Sequence, residues 1–282
     1  MQQFCDLHTH SKFSDGKDTP TALVGAAVSK GLSAVALCDH NTVEGLPEFL
    51  AAAEGQPIEA VPGAEFSVDY QGTELHLLGL YLPTSCFSAM TARMEQVNQW
   101  KEESNLALIA SLATVGYPLD YAAICAQTKG TVNRSHIADE LLKRYHGFSS
   151  KAELFKTLLS PEEGHYREPK RLTVWEMLEM LRDVGAVPVL AHPFLNLTEE
   201  ALIDFLPLAR KRGLIGMECA YSLFDAAKTA KAMALADGYG LLPSGGSDYH
   251  GSAKPEIALG SGKGELAVPA AWAEALRLRS LC

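Results

Sequence analysis

The sequence predicts an α/β fold, and three observations lead there. Short β-like runs alternate with helical stretches along most of the 282-residue chain, the pattern of parallel strands joined by crossover helices. These runs include seven strands, a number able to close into a barrel; an open, doubly wound sheet fits the same alternation, and periodicity alone does not choose between them. The third observation is an interruption, because residues 85–170 carry helical patterns and no convincing strand. A structureless loop of that length is foreign to a compact domain. Residues 85–170 therefore read as a helical insert domain, and 1–84 with 171–282 as the strand-bearing domain.

Taken in order, Phe4–His8 is the first strand, and Thr19–Lys30 is a helix with Pro20 at its first position and Gly31 at its end. Ser33–Cys38 is the second strand, followed by a short helix over Leu46–Glu54. Ile58–Val68 and Thr73–Leu82 are the third and fourth strands, separated by the turn-like Asp69-Tyr70-Gln71-Gly72. The insert shows helical patterns at Ser88–Val115, Tyr121–Thr128, Ser135–Tyr145 and Lys151–Leu159. Val187–Ala191, Leu214–Cys219 and Leu241–Ser244, each preceded by a helical segment, complete the strands. A last helix, Ala270–Leu281, packs outside them.

Composition narrows the function classes. Hydrophobic residues make up 47% and charged residues 21% of the chain, ordinary values for a globular protein with a sizeable core. No apolar run approaches the roughly 18 residues that span a bilayer, and MQQFCDLHTH shows no secretory signal. The six cysteines are widely spaced without a C-x-x-C pair, which suits reduced thiols and a cytoplasmic location. A net charge of -10 with no basic block argues against duplex DNA as a partner, and the lack of a long apolar run argues against a membrane. Small phosphates or the end of a short single strand stay open, since metal ions can supply positive charge.

The strongest local signal is Asp6-Leu7-His8-Thr9-His10 at the end of the first strand. Alternate strand residues point the same way, so His8 and His10 can present two imidazoles to one ion. An isolated H-x-H pair is equally compatible with ordinary histidines. Recurrence separates the two readings. Asp15 lies just beyond the pair, His40 follows the second strand, Glu65 ends the third, His192 ends the fifth, and Asp248 and His250 follow the seventh. Barrel enzymes gather their chemistry at the C-terminal ends of strands. His76, near the start of the fourth strand, fits only if that strand runs back antiparallel through the Asp69–Gly72 turn and carries it towards Glu65.

These motifs, D-L-H-T-H, S-D-G, C-D-H-N, P-G-A-E, L-H-L-L-G, L-A-H-P and G-S-D-Y-H in that order, resemble those of the polymerase and histidinol phosphatase (PHP) family of metal-dependent phosphoesterases. The resemblance implies a distorted, TIM-like seven-stranded barrel and a site for three divalent metal ions. Carried over by position, it implies one ion held by His8, His10, Glu65 and Asp248, and a second by Glu65, His76 and His192. Asp15, His40 and His250 would hold the third. Such mixed ligation suits Mn, Fe or Zn. The implied chemistry is attack by a metal-bound hydroxide on a phosphate monoester, with Asp15, Glu65, His192, Asp248 and Arg134 as the catalytic set.

Around this set, Asp6 and Asp39 can orient imidazoles from behind or serve as capping and turn residues, and Glu218 ends the sixth strand facing the site. In the insert, Val132-Asn133-Arg134-Ser135-His136-Ile137 opens a helix. Arg134 can grip phosphate through its planar fork, with His136 as a second donor or acid; an ordinary helix start is the other reading. PHP members that act on nucleotides look similar here, which implies substrate contacts at Arg134 and His136. His146 and His165 read as surface histidines, and the Lys143-Arg144 and Lys170-Arg171 pairs as solvated charge or contacts to a second phosphate. The leading expectation is a phosphatase for a nucleoside 3′,5′-bisphosphate or AMP-like nucleotide. A histidinol-phosphate phosphatase and a 5′-3′ exonuclease on short RNA share its metal chemistry. No ligand type is missing, which argues against a non-catalytic metal-binding module.

Overall fold

The computed structural model describes residues 3–128 and 131–280. In chain order the elements are β1 (Phe4–Thr9), α1 (Pro20–Ser29), β2 (Ala34–Leu37), α2 (Leu46–Ala53), β3 (Glu59–Tyr70) and β4 (Thr73–Leu80). Four helices follow: α3 (Phe87–Thr114), α4 (Tyr121–Gln127), α5 (Arg134–Arg144) and α6 (Lys151–Thr157). The chain then runs through β5 (Leu172–Thr173), α7 (Val174–Asp183), β6 (Val187–Leu190), α8 (Pro193–Asn196) and α9 (Glu199–Lys211). It ends with β7 (Gly216–Tyr221), α10 (Ala226–Gly238), β8 (Leu242–Gly246), β9 (Val268–Pro269) and α11 (Ala270–Ser280). The expected end of the last helix at Leu281, and Cys282, lie outside the described residues.

Local chemistry sets the helix starts. The Thr19 side chain accepts from the Ala22 N–H at 3.0 Å and Pro20 occupies the first turn of α1, where its missing N–H has no bond to lose. Thr173 and Glu176 form a reciprocal capping box at α7.

The sheet follows the order β8-β7-β6-β4-β3-β2-β1-β9, with β5 beside β3. β1–β2, β2–β3, β6–β7 and β7–β8 pair in parallel, while β4 is antiparallel to both β3 and β6. Just past β8, the Asp248 N–H donates to the His8 carbonyl at 2.8 Å and the His10 N–H to the Tyr249 carbonyl at 2.8 Å. These bonds bring the two ends of the sheet together, so the fold is a nearly closed, TIM-like α/β barrel and the open-sheet alternative falls away. Along β1, Cys5 and Leu7 enter an apolar cluster with Ala36, Val61, Leu78 and Val189, while Asp6 and His8 take the other face of the pleat.

Several expectations need correction. β5 and β9 were not anticipated, because two-residue strands are too short to leave a period in the sequence. β3 continues to Tyr70, so the expected four-residue link shrinks to Gln71-Gly72, with φ of 54° and 82°. Two consecutive positive φ values give the twist that suits a tight hairpin, and Gly72 adopts its value without strain. Leu214 and Ile215 precede β7 rather than belonging to it, and β7 and β8 extend to Tyr221 and Gly246. An apolar run marks burial but not where ladder pairing begins.

The chain divides into two compact units, Met1–Thr91 with Leu172–Cys282, and Ala92–Arg171. The second has its own apolar core, including Leu108, Leu112, Ile137, Leu141 and Leu154. Among the described residues, no helix is long and apolar enough to cross a membrane, and Cys5, Cys38, Cys86, Cys125 and Cys219 are free thiols.

Candidate metal centre

The strand ends of the barrel unit deliver the predicted ligands one after another. β1 carries His8 and leads directly to His10, and the chain after β2 presents His40, which bridges to Glu65 as a continuation of the β2–β3 ladder. His192 follows β6 and Asp248 follows β8. His76 arrives from the other direction: antiparallel pairing sets Ser67 opposite His76, which returns the imidazole to Glu65.

Glu65 is the hub. Its Oε1 lies 2.7 Å from His76 Nδ1 and 2.9 Å from His192 Nε2. Its Oε2 lies 3.2 Å from His8 Nε2, 3.3 Å from His10 Nε2 and 3.1 Å from His40 Nδ1. Asp248 Oδ1 is 3.1 Å from His10 Nε2 and 3.5 Å from His250 Nδ1. Asp15 Oδ1 is 3.1 Å from His250 Nε2 and 3.8 Å from His40 Nε2. Six imidazoles and three carboxylates therefore meet in one cluster, with the His10 and His250 ring centroids only 4.1 Å apart.

The donor set suits divalent metal. His8 Nε2, both ring nitrogens of His10, His192 Nδ1 and His250 Nε2 are buried without a hydrogen-bond partner, and each such orphan costs about 1–3 kcal/mol. Three groups have ligand atoms within 4.8 Å of one another: His8-His10-Glu65, His40-Glu65-His76 and His10-Asp15-His40-His250. Compared with the groupings implied by resemblance, His10 and His40 are shared between groups. His192 and Asp248 join through short contacts to Glu65 and His10.

The electrostatics favour cations. Burial pushes the Glu65 carboxyl up, but His40, His8 and His76 together hold it well below the usual carboxylate range. Asp248 is likewise pushed up by burial and held well below by His10, His250 and His8, with Lys254 adding to the effect. Burial disfavours charge on His76, yet Glu65 and Glu74 draw its pKa up to about 10. A pocket that keeps carboxylates ionised while buried is one that attracts positive charge.

The surrounding residues hold the clustered side chains and their loops in place. Asp6 accepts from the Ser247 N–H at 2.8 Å, the Ser247 hydroxyl at 2.5 Å and the Gly260 N–H at 2.7 Å. Asp39 accepts from the Ser11 N–H at 2.8 Å and from the Ser11 and Ser14 hydroxyls at 2.6 Å each. Both aspartates thus secure the ligand-bearing loops rather than an imidazole. Glu218 does contact one, with Oε1 3.0 Å from His8 Nδ1. His192 and Asp248 have φ of 27° and 57°, conformations that cost about 1–3 kcal/mol each and collect at functional sites. Sequence reasoning missed Tyr221 and Lys254, which both donate to Asp248 Oδ2 at 2.9 Å. Neither lies in a ligand-type motif, so only the folded chain reveals them.

Arg134 and His136 lie in the second unit. The Arg134 guanidinium stacks 4.0 Å above the Tyr166 ring and its Nη1 donates to the Leu159 carbonyl at 3.1 Å. His136 Nδ1 accepts from the Asn133 N–H at 3.1 Å while Asn133 caps α5 in return. His146 is exposed, and His165 Nδ1 lies 2.9 Å from the Ser111 hydroxyl. Lys143 and Arg144 pair with Glu140, Arg171 with Glu168, and Lys170 lies over Trp100.

The PHP domain family matches the chain over residues 6–183, beginning at the aspartate that opens the first histidine motif. The chain belongs to the PHP domain family. Like the family, it is a metal-dependent phosphoesterase, a hydrolase of phosphate esters. This PHP chain is 30% identical over 259 residues to a 5′-3′ exoribonuclease of Haemophilus influenzae, covering 89% of this chain and 91% of that one. It is 29% identical over 252 residues to a 3′,5′-nucleoside bisphosphate phosphatase of Chromobacterium violaceum, covering 87% and 86%. In structure it is similar to a Bifidobacterium adolescentis protein provisionally described as a metal-dependent phosphoesterase. The TM-score is 0.84 at 25% identity, over 98% of this chain and 96% of the other.

Proposed function

We propose that the protein removes phosphate from a small nucleotide, with a nucleoside 3′,5′-bisphosphate or an AMP-like mononucleotide as substrate. The observation that carries this reading is the likeness, over 87% of the chain, to a nucleoside bisphosphate phosphatase. The nine clustered ligands would hold three divalent ions: His8, His10, Glu65 and Asp248 one, Glu65, His76 and His192 another, and Asp15, His40 and His250 the third. The division of Glu65 contacts between Oε1 and Oε2 supports a bridging role for this carboxylate. Such ions, when bound, supply Lewis acidity and a nucleophilic water near neutral pH.

The chain's own residues do the positioning. Tyr221 and Lys254 hold Asp248 through Oδ2, which leaves Oδ1 facing His8, His10 and His250. Arg134 and His136 are proposed to contact a second phosphate of the substrate. The stacking of the guanidinium on Tyr166 supports this, because a fork already ordered loses less entropy on gripping an oxyanion. The free buried thiols support a cytoplasmic setting.

A second reading, stepwise removal of nucleotides from the 5′ end of short RNA, is favoured by the likeness to an exoribonuclease over 89% of the chain. One assay separates the readings: phosphate or mononucleotide release in Mn²⁺ buffer from adenosine 3′,5′-bisphosphate, AMP, histidinol phosphate and a 5′-phosphorylated RNA oligonucleotide. Preference for the bisphosphate or AMP supports the phosphatase. A ladder of mononucleotide products from RNA with little free phosphate transfers the assignment to exonuclease. Preference for histidinol phosphate overturns both.

A further inference from the structure

We infer that Glu218 is a positioning residue, fixing His8 in the tautomer whose Nε2 lone pair faces the metal centre and, through the same carboxylate, pinning the backbone of His192. The inference rests on reading this cluster as a metal centre.

Glu218 lies on β7, between β6 and β8, and is fully buried. Its Oε1 is 3.0 Å from His8 Nδ1, and its Oε2 accepts the His192 N–H at 2.6 Å. Register explains the reach. Leu190 of β6 pairs with Met217 of β7, so the next β7 residue lies beside the end of β6, close to where His192 begins its loop. The β7–β8 ladder shifts register between Glu218 and Ala220, an irregularity of the kind that re-aims a side chain at strand ends.

A carboxylate only accepts hydrogen bonds, so the His8 proton belongs on Nδ1. Nε2 is then the ring nitrogen left to bind a metal ion. It faces Glu65 Oε2 at 3.2 Å and Asp248 Oδ1 at 3.7 Å and has no hydrogen-bond partner. A proton or a metal ion between Nε2 and these carboxylates relieves the repulsion, and a divalent ion there completes the set. The second arm acts on His192, whose φ of 27° is unfavourable for a side-chain-bearing residue. A short, charge-assisted bond to its N–H offsets that strain and keeps Nε2 2.9 Å from Glu65. One carboxylate thus sets the orientation of two side chains that meet different oxygens of Glu65.

Two measurements test this. Long-range ¹⁵N–¹H correlation spectra of the metal-free wild-type protein, with His8 assigned by comparison with His8→Ala, should show the His8 proton on Nδ1. An Nδ1 without a proton overturns the inference, and this readout needs no Glu218 variant to fold. In Glu218→Gln, the amide oxygen can still accept from the His192 N–H, but the NH₂ group then donates to His8 Nδ1 and forces the proton onto Nε2. Mn²⁺ affinity by titration calorimetry should fall by about 10–100-fold, with the thermal midpoint of the metal-free protein little changed. The kcat at limiting Mn²⁺ should fall and recover with excess Mn²⁺, leaving KM for adenosine 3′,5′-bisphosphate unchanged. Wild-type Mn²⁺ affinity in Glu218→Gln would sink the inference. A wild-type protein that binds no divalent metal would instead sink the metal-centre reading, while the spectrum still reports on Glu218.

Discussion

Glu65 Oε1 lies 2.7 Å from His76 Nδ1, although the two residues sit on strands that run in opposite directions. The reversal matters because the other histidines lie at or just beyond the C-terminal end of their strands and Glu65 lies mid-way along β3, whereas His76 is early in β4. Only an antiparallel β4 returns it to the same end of the barrel. Glu65 thereby meets His76 and His192 through one oxygen and His8, His10 and His40 through the other.

The first prediction concerns this hub. In Glu65→Gln the amide keeps the volume but loses the charge that five imidazoles face. Metal content per chain by mass spectrometry should drop by more than one ion. Phosphatase activity should fall by at least about 100-fold, beyond the loss typical of an outer partner of a ligand. Loss of a single ion would show that Glu65 does not bridge.

His192→Ala should lower bound metal and activity together, since His192 Nε2 reaches Glu65 at 2.9 Å from a loop with no substitute donor in its motif. Elemental analysis and turnover measured on the same preparation check this. Unchanged activity would remove His192 from the ligand set.

Gly246→Ala tests the closure of the barrel. A Cβ at Gly246 would collide with the Cβ and backbone nitrogen of His8, contacts that side chains do not make. The barrel would have to open locally at β1 and β8, costing about 1–3 kcal/mol as overpacking does, and His8 would move. A lower thermal midpoint together with weakened Mn²⁺ binding is expected. A variant with both properties intact would contradict the close approach of these strands.

Arg134→Ala should raise KM for adenosine 3′,5′-bisphosphate by about 10-fold or more, equivalent to losing a charged hydrogen bond of about 1.5–3 kcal/mol. Bound metal should stay unchanged. Equal kinetics for variant and wild type would confine Arg134 to its packing on Tyr166 and Leu159.

Removing metal with a chelator should destabilise the protein, because ions that bind only the folded chain add stability by mass action. The contribution is about 2.7 kcal/mol at a free concentration one hundred times the dissociation constant. Calorimetry should show a lower thermal midpoint after EDTA and recovery on adding Mn²⁺. No shift on chelation would mean that the orphaned nitrogens of His8, His10 and His250 have some other partner.

By itself the sequence determined the alternation of strands and helices, the run of helices between β4 and β5 and the identity of the histidines and carboxylates that cluster. Those features are local: periodicity, punctuation by glycine and proline, and short motifs such as His8-Thr9-His10 whose spacing follows from the pleat. The motif order also carried the family resemblance.

Tertiary structure alone decided that the sheet closes, because closure is made by bonds between residues some 240 apart, Asp248 to His8 and Tyr249 to His10. It also decided what the buried carboxylates do. Asp6, Asp39 and Glu218 look alike in the sequence, each an acidic residue within or just after a strand. Asp6 and Asp39 bind serine hydroxyls and backbone N–H groups, while Glu218 holds His8. The difference comes from strand register and from which loop packs opposite, and neither is written in the neighbouring residues. Tyr221 and Lys254 belong here too, since a hydrogen bond to Asp248 depends only on where the folded chain brings them.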